Sequence, residues 1–156
     1  MRFYGIVKGR GGKYFGDGGF VEVSGKEELY FDGWVDTTAP NGKTGTLLLD
    51  PDALTIKDGT GDTASGAVTA TIYEETLEAL SSTTNIILQA TNSISLVDLS
   101  DNLLNLKQGS GNSVTFTVTD GTISFASNDD TISTNGGDII FRKVYSKSCH
   151  VIITLL

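Results

Sequence analysis

From Ile86 onward, short β-type runs recur with centres at Ile86, Ile94, Leu104, Val114, Ile123, Ile132 and Ile139, seven to ten residues apart. That rhythm permits antiparallel hairpins, as in a sandwich, or successive sides of a coil in a parallel β-helix. Apolar and polar residues alternate within Phe20–Val23, Leu29–Phe31, Leu54–Ile56, Val68–Ile72, Ile94–Leu96, Val114–Val118 and Ile123–Phe125, so each run sends one set of side chains inward and the other to solvent. Between the runs lie Asn-Gly, Asp-Gly, Gly-Ser-Gly-Asn and Asn-Gly-Gly-Asp, which supply the positive backbone dihedrals of tight corners. These turns vary in length and are seldom the two-residue type that hairpins prefer, which favours stacked coils of about 18 to 28 residues. Only 38% of the 156 residues are hydrophobic and 8% aromatic, so the core must be thin, elongated and built from Val, Ile and Leu.

Two segments depart from the rhythm. Tyr73 to Leu80 has helix formers, early acids at Glu74 and Glu75, and Tyr73, Leu77 and Leu80 on one stripe, which predicts a helix of about two turns closed by Ser81-Ser82. Such a helix is too short to stand alone and must lie against the strands. Leu47, Leu48 and Leu49 are three consecutive large apolar residues, the pattern of a strand covered on both faces. The expectation is that the Tyr73–Leu80 helix supplies the outer cover through Leu77 and Leu80. Residues 142–156 contain no acid and no glycine and read as a divergent tail beyond a single domain spanning 1–141; Val151-Ile152-Ile153 within it could form one last strand.

Net charge is −8. Between Thr44 and Phe141 thirteen acids face only Lys57 and Lys107, a surface that repels phosphate backbones and argues against nucleic acid as a partner. No run approaches the roughly 18 apolar residues of a membrane-spanning helix. The one cysteine, Cys149, excludes an intramolecular disulfide framework, and the one histidine, His150, has no Gly-x-Ser-x-Gly partner with which to build a hydrolytic triad.

Candidate chemistry is sparse. Asp129 and Asp130 are adjacent and would point to opposite faces of a strand, so they mark a turn rather than an acid/base pair. Asp50 and Asp52, two apart around Pro51, could share a cation but read as a turn. Asp58-Gly59-Thr60-Gly61-Asp62 gathers oxygen ligands suited to calcium, without the nonapeptide array or the EF-hand spacing. The glycines near Gly9 to Gly19 lack the features of a nucleotide loop. Outward threonines, Thr69 and Thr71, then Thr115, Thr117 and Thr119, are compatible with an ice-binding row but are also ordinary strand residues. Trp34, Tyr30 and Phe31 read as core packing before a sugar-stacking platform. The reading therefore assigns no catalytic, cofactor or metal residues.

The order GGFVEVSG (18–25), VDTTAP (35–40) and GTLLLDP (45–51), continuing through Ile72–Leu77, Asn85–Ala90 and Asp138–Ile140, resembles the C-terminal part of the shaft in filamentous haemagglutinin-like exoproteins of the two-partner secretion type. The resemblance covers residues 11 to 141. It implies an all-β fold, a right-handed parallel β-helix fragment with one short flanking α-helix, and a non-catalytic structural and adhesive role in a secreted or cell-surface protein. It further implies a host-cell, glycan or neighbouring-cell receptor, and an outer-membrane secretion partner for the full-length protein. The N-terminus lacks the apolar region of a secretory signal, so upstream coils and a secretion domain are expected outside this sequence, and cut coil ends are expected to self-associate. The alternatives are a carbohydrate-active β-helix enzyme and a calcium- or ice-binding solenoid module.

Overall fold

The computed structural model describes residues 1–60 and 70–144. The chain advances in five layers. The first holds β1 (Arg2–Phe3), β2 (Ile6–Lys8) and β3 (Phe20–Ser24), and the second β4 (Tyr30–Phe31), β5 (Trp34–Asp36) and β6 (Thr46–Asp50). The third holds β7 (Ala53–Lys57), β8 (Ala70–Tyr73), the helix α1 (Glu74–Glu78), shorter than the expected Tyr73–Leu80, and β9 (Asn85–Ala90). The fourth holds β10 (Ser93–Leu96), β11 (Leu103–Gly109) and β12 (Ser113–Val118), and the fifth β13 (Thr122–Phe125), β14 (Thr131–Asn135) and β15 (Asp138–Lys143). All seven strand centres expected from the spacing, Ile86 to Ile139, fall inside β9 to β15.

Every ladder between these strands is parallel, which decides against hairpins; the one antiparallel contact among the described residues is the isolated bridge Gly109–Gly136. A five-stranded sheet runs β3-β6-β9-β12-β15 and a six-stranded sheet β1-β4-β8-β7-β10-β13. The third side carries two pairs, β2-β5 and β11-β14. The core lies between these sides. In the five-stranded sheet Val21, Leu47, Ile86, Val114 and Ile139 align across the strands, as do Val23, Leu49, Leu88, Phe116 and Phe141. Leu47, Leu49, Ile86, Leu88 and Val114 are wholly buried, so period-two alternation becomes one continuous apolar column. Two corners expected from Gly-Ser-Gly-Asn and Asn-Gly-Gly-Asp require glycine, at Gly111 (φ 82°) and Gly136 (φ 88°).

The third layer is longer than its neighbours. Equivalent positions in β3 and β6 lie 26 residues apart, in β9 and β12 28 apart, but in β6 and β9 39 apart. The surplus arises because β7 and β8 both join the six-stranded sheet, with β8 inserted between β4 and β7. The helix then occupies the third side, between β5 and β11. There Glu78 Oε1 accepts the Asn105 N–H of β11 (2.7 Å), while Thr76 Oγ1 donates to Asp32 Oδ1 just before β5 (3.0 Å). The Glu78 carboxylate thus stands in for a backbone partner of β11, and the Thr76–Asp32 bond ties the helix to the second layer.

The outer cover expected for the leucine run is not supplied by α1. Leu47 and Leu49 enter the core, whereas Leu48 sits half-buried on the outer face, between Glu22 and Ile87. The helix lies against β8 and β11, on another side, and its Leu77, with Leu80 just beyond its end, is itself a core residue. Leu48 is sheltered by its own sheet, whose outer row runs Glu22, Leu48, Ile87, Thr115, Ile140.

On β5, Asp36 is 2% exposed. It pairs with the Arg10 guanidinium and accepts both the N–H (2.9 Å) and the hydroxyl (2.5 Å) of Thr38. Burial alone would raise its carboxyl, but the Thr38 and Arg10 donors outweigh it and hold the group below its ordinary value of 3.8.

Candidate functional site

Two features gather around the third-layer excursion. The first is a groove of about 390 Å³ between α1 and the first two layers, lined by Tyr4, Ile6, Asp32, Trp34, Thr60, Glu75, Thr76 and Ala79 among others. Alternation explains its aromatic character. Phe3 and Phe31 point inward and stack at 5.7 Å, so their neighbours Tyr4 and Tyr30 point outward. Tyr4, Tyr30 and Tyr73 then form a strip along the outside of the six-stranded sheet, with centroids 5.4 and 6.4 Å apart. Trp34 pairs with Ile6, which is 69% exposed, on the neighbouring face. Aromatic rings beside carboxylates and hydroxyls are the chemistry of a polar ligand with an apolar face. The expectation of core packing for the Trp34 group therefore holds for Phe31 alone; Tyr30 and Trp34 face outward, half-buried.

The second feature is a carboxylate pair. Glu74, the first residue of α1, is 5% exposed. Its Oε1 accepts the Gly59 N–H at 3.2 Å, and its Oε2 is buried with no hydrogen-bond partner. Asp58, just past β7, comes within hydrogen-bonding reach of the Glu74 carboxyl and accepts the Ser100 hydroxyl at 3.1 Å. Burial first, and then the Asp58 carboxyl, push Glu74 up to about 7; the Glu74 carboxyl and the Ser100 hydroxyl hold Asp58 below its ordinary value. Two carboxyls whose affinities are driven apart can share one proton or one cation. The early helix acid expected at Glu74 is thus buried in the structure. The available signal was its place directly after the apolar strand Ala70–Tyr73, where the chain is still in the core.

The remaining candidates are scattered. Asp130 Oδ1 accepts the Leu99 N–H and the Asp129 N–H donates to Ser127 Oγ, so this pair serves turns. Asp50 accepts from Gln89 Nε2 at 3.1 Å; its burial, and then the charges of Glu22 and Asp52, raise its carboxyl. Thr115 lies between Ile87 and Ile140, and Thr117 between Gln89 and Arg142, so no threonine row forms on that face. Thr71 has Thr55 beside it. Gly61, Asp62, Val68, Thr69, Cys149, His150 and the strand expected at Val151–Ile153 lie outside the described residues, while Arg142 and Lys143 belong to β15. Among the described residues no helix is long and apolar enough to cross a bilayer, and no group of three or more His, Cys, Asp or Glu side chains is clustered. Comparison with protein-family models, with curated proteins and with solved structures gives no match.

Proposed function

We propose that this chain is a right-handed parallel β-helix segment with a structural and adhesive, non-catalytic role, in a secreted or cell-surface protein of the filamentous haemagglutinin type. The observation that carries the reading is the parallel register held through all five layers of one sheet, from Phe20–Ser24 to Asp138–Lys143. Such a stack makes a rod whose backbone ladders need neither disulfides nor cofactors, and whose sides present repeated surface. The groove beside α1, with Tyr4 and Trp34, is the receptor-facing surface under this reading, and a glycan or cell-surface receptor suits rings flanked by Asp32 and Glu75. An outer-membrane secretion partner belongs to the full-length protein under this reading. A net charge of −8 favours no nucleic acid.

Adhesion tests the proposal directly. Beads coated with the chain should bind cultured cells or immobilised glycans above an inert acidic protein, and Tyr4→Ala with Trp34→Ala should reduce capture at least tenfold while circular dichroism stays unchanged. Capture no better than the inert control would overturn the adhesive role. Undiminished capture by the double variant would move the receptor surface away from the groove.

A further inference from the structure

We propose that Asp58, Glu74 and Ser100 form a site for a divalent cation, with calcium as its occupant. The argument starts from an imbalance of donors. The two carboxyls lie within hydrogen-bonding reach of each other, and the donors that the described residues direct at their four oxygens are the N–H groups of Gly59 and Ser100 and the Ser100 hydroxyl. Glu74 Oε2 is left buried with no donor, in a residue 95% removed from solvent. A buried carboxylate oxygen without a partner costs far more than a neutral one, so the position calls for positive charge. The ion pair Arg10–Asp36 lies on another strand and does not supply it.

The ligand set points to the class of cation. All the candidate atoms are oxygens, two carboxylates and a hydroxyl, with neither imidazole nor thiolate among the described residues, which selects a hard ion over zinc or copper. Asp58 is half-exposed and Ser100 exposed, so one side of the site is open for water. Calcium accepts six to eight oxygens in flexible geometry, including bidentate carboxylates and several waters, whereas magnesium demands a near-ideal octahedron. With only two carboxylates the affinity belongs at the weak end of the calcium range, with half-saturation at about 0.1–1 mM. The three ligands come from the end of β7, the start of α1 and the turn after β10, so the ion would tie the base of the third-layer excursion to the fourth layer.

Calcium titration with a thermal melt tests this without reference to adhesion. For the full chain, CaCl₂ at tenfold above half-saturation should raise the melting midpoint by about 3–6 °C, saturably, against KCl of equal ionic strength. Magnesium should do so only weakly. Glu74→Gln and Asp58→Asn should each abolish the calcium increment. Glu74→Gln should also melt no lower than the parent in EDTA, because it removes the repulsion between the carboxyls and keeps the shape. A melting point indifferent to calcium, or an increment that persists in Glu74→Gln, would overturn the site. So would stabilisation by lowering the pH to 6 with none by calcium, since the carboxyls would then be sharing a proton.

Discussion

The five-stranded sheet and the third side belong to the same layers but are held together differently. In the sheet each strand finds a parallel partner in register, and buried leucines and isoleucines repeat at one height from layer to layer. On the third side the stack of strands is interrupted by α1: the Glu78 carboxylate takes the Asn105 N–H, the Gln108 side-chain amide donates to the Ser81 carbonyl, and the Thr76 hydroxyl donates to Asp32. Regular pairing needs nothing from side-chain chemistry beyond alternation. Where pairing lapses, charged and hydroxyl side chains must satisfy the exposed ladder. This is why the groove and the carboxylate pair both lie beside the excursion and not on the regular sheet.

The comparison is broken most severely by emptying the regular column. Leu88 is wholly buried, aligned between Leu49 and Phe116. Leu88→Ala should cost about 2–5 kcal/mol in urea melts. A loss under about 1 kcal/mol would mean that the column is not the main source of stability.

On the third side the corresponding lesion is polar. Removing the Glu78 carboxylate strands the Asn105 N–H, and Glu78→Ala should cost about 1–3 kcal/mol. Glu78→Gln, which keeps a carbonyl acceptor, should recover more than half of that loss. Equal losses in the two variants would show that the charge, not the ladder contact, is what β11 requires.

Acid sharpens the contrast further, because the regular column carries no charge and the β5 edge does. Asp36 has a folded-state affinity for protons below its ordinary value of 3.8, so its contribution is fully present above that value and is lost as pH falls through the folded one. Urea midpoints should therefore decline below about pH 4, and Asp36→Asn should lower the neutral-pH midpoint while flattening this part of the decline. An unchanged acid slope in Asp36→Asn would assign the decline to other carboxylates.

These differences also decide what could be read in advance. Alternation located Ile86 through Ile139 because it is local and turns toward the core, wholly at Ile86, Ile94, Leu104 and Val114 and partly at Ile123, Ile132 and Ile139. The stripe Tyr73, Leu77 and Leu80, by contrast, placed a helix but overstated its length, since only Glu74–Glu78 is helical and Tyr73 ends β8. Periodicity is blind to which layer a strand joins, so the insertion of β8 between β4 and β7 had no sequence signature. The buried state of Glu74 follows from that insertion. Its pairing with Asp58 and Ser100 therefore emerges only when three separated segments are brought together. A run of three leucines likewise counts apolar residues without saying whether the cover comes from another element or from the next rung of the same sheet.

That last ambiguity supports the smallest expected effect. If α1 covered Leu48, truncating Leu48 and Leu77 together would be non-additive, as neighbours in contact are. In the structure Leu77 is a core residue, 1% exposed, on a helix against β8 and β11, while Leu48 stands half-buried between Glu22 and Ile87 on the outside of the five-stranded sheet. Leu77→Ala should lose about 2–5 kcal/mol and Leu48→Ala markedly less, because only the former opens a cavity. Their double variant should equal the sum of the two within about 0.5 kcal/mol. A coupling above about 1 kcal/mol in a double-mutant cycle would put the helix against the outer face after all. By contrast, Leu48→Ala with Ile87→Ala should couple, since these two share one row of the same sheet and each shields the other.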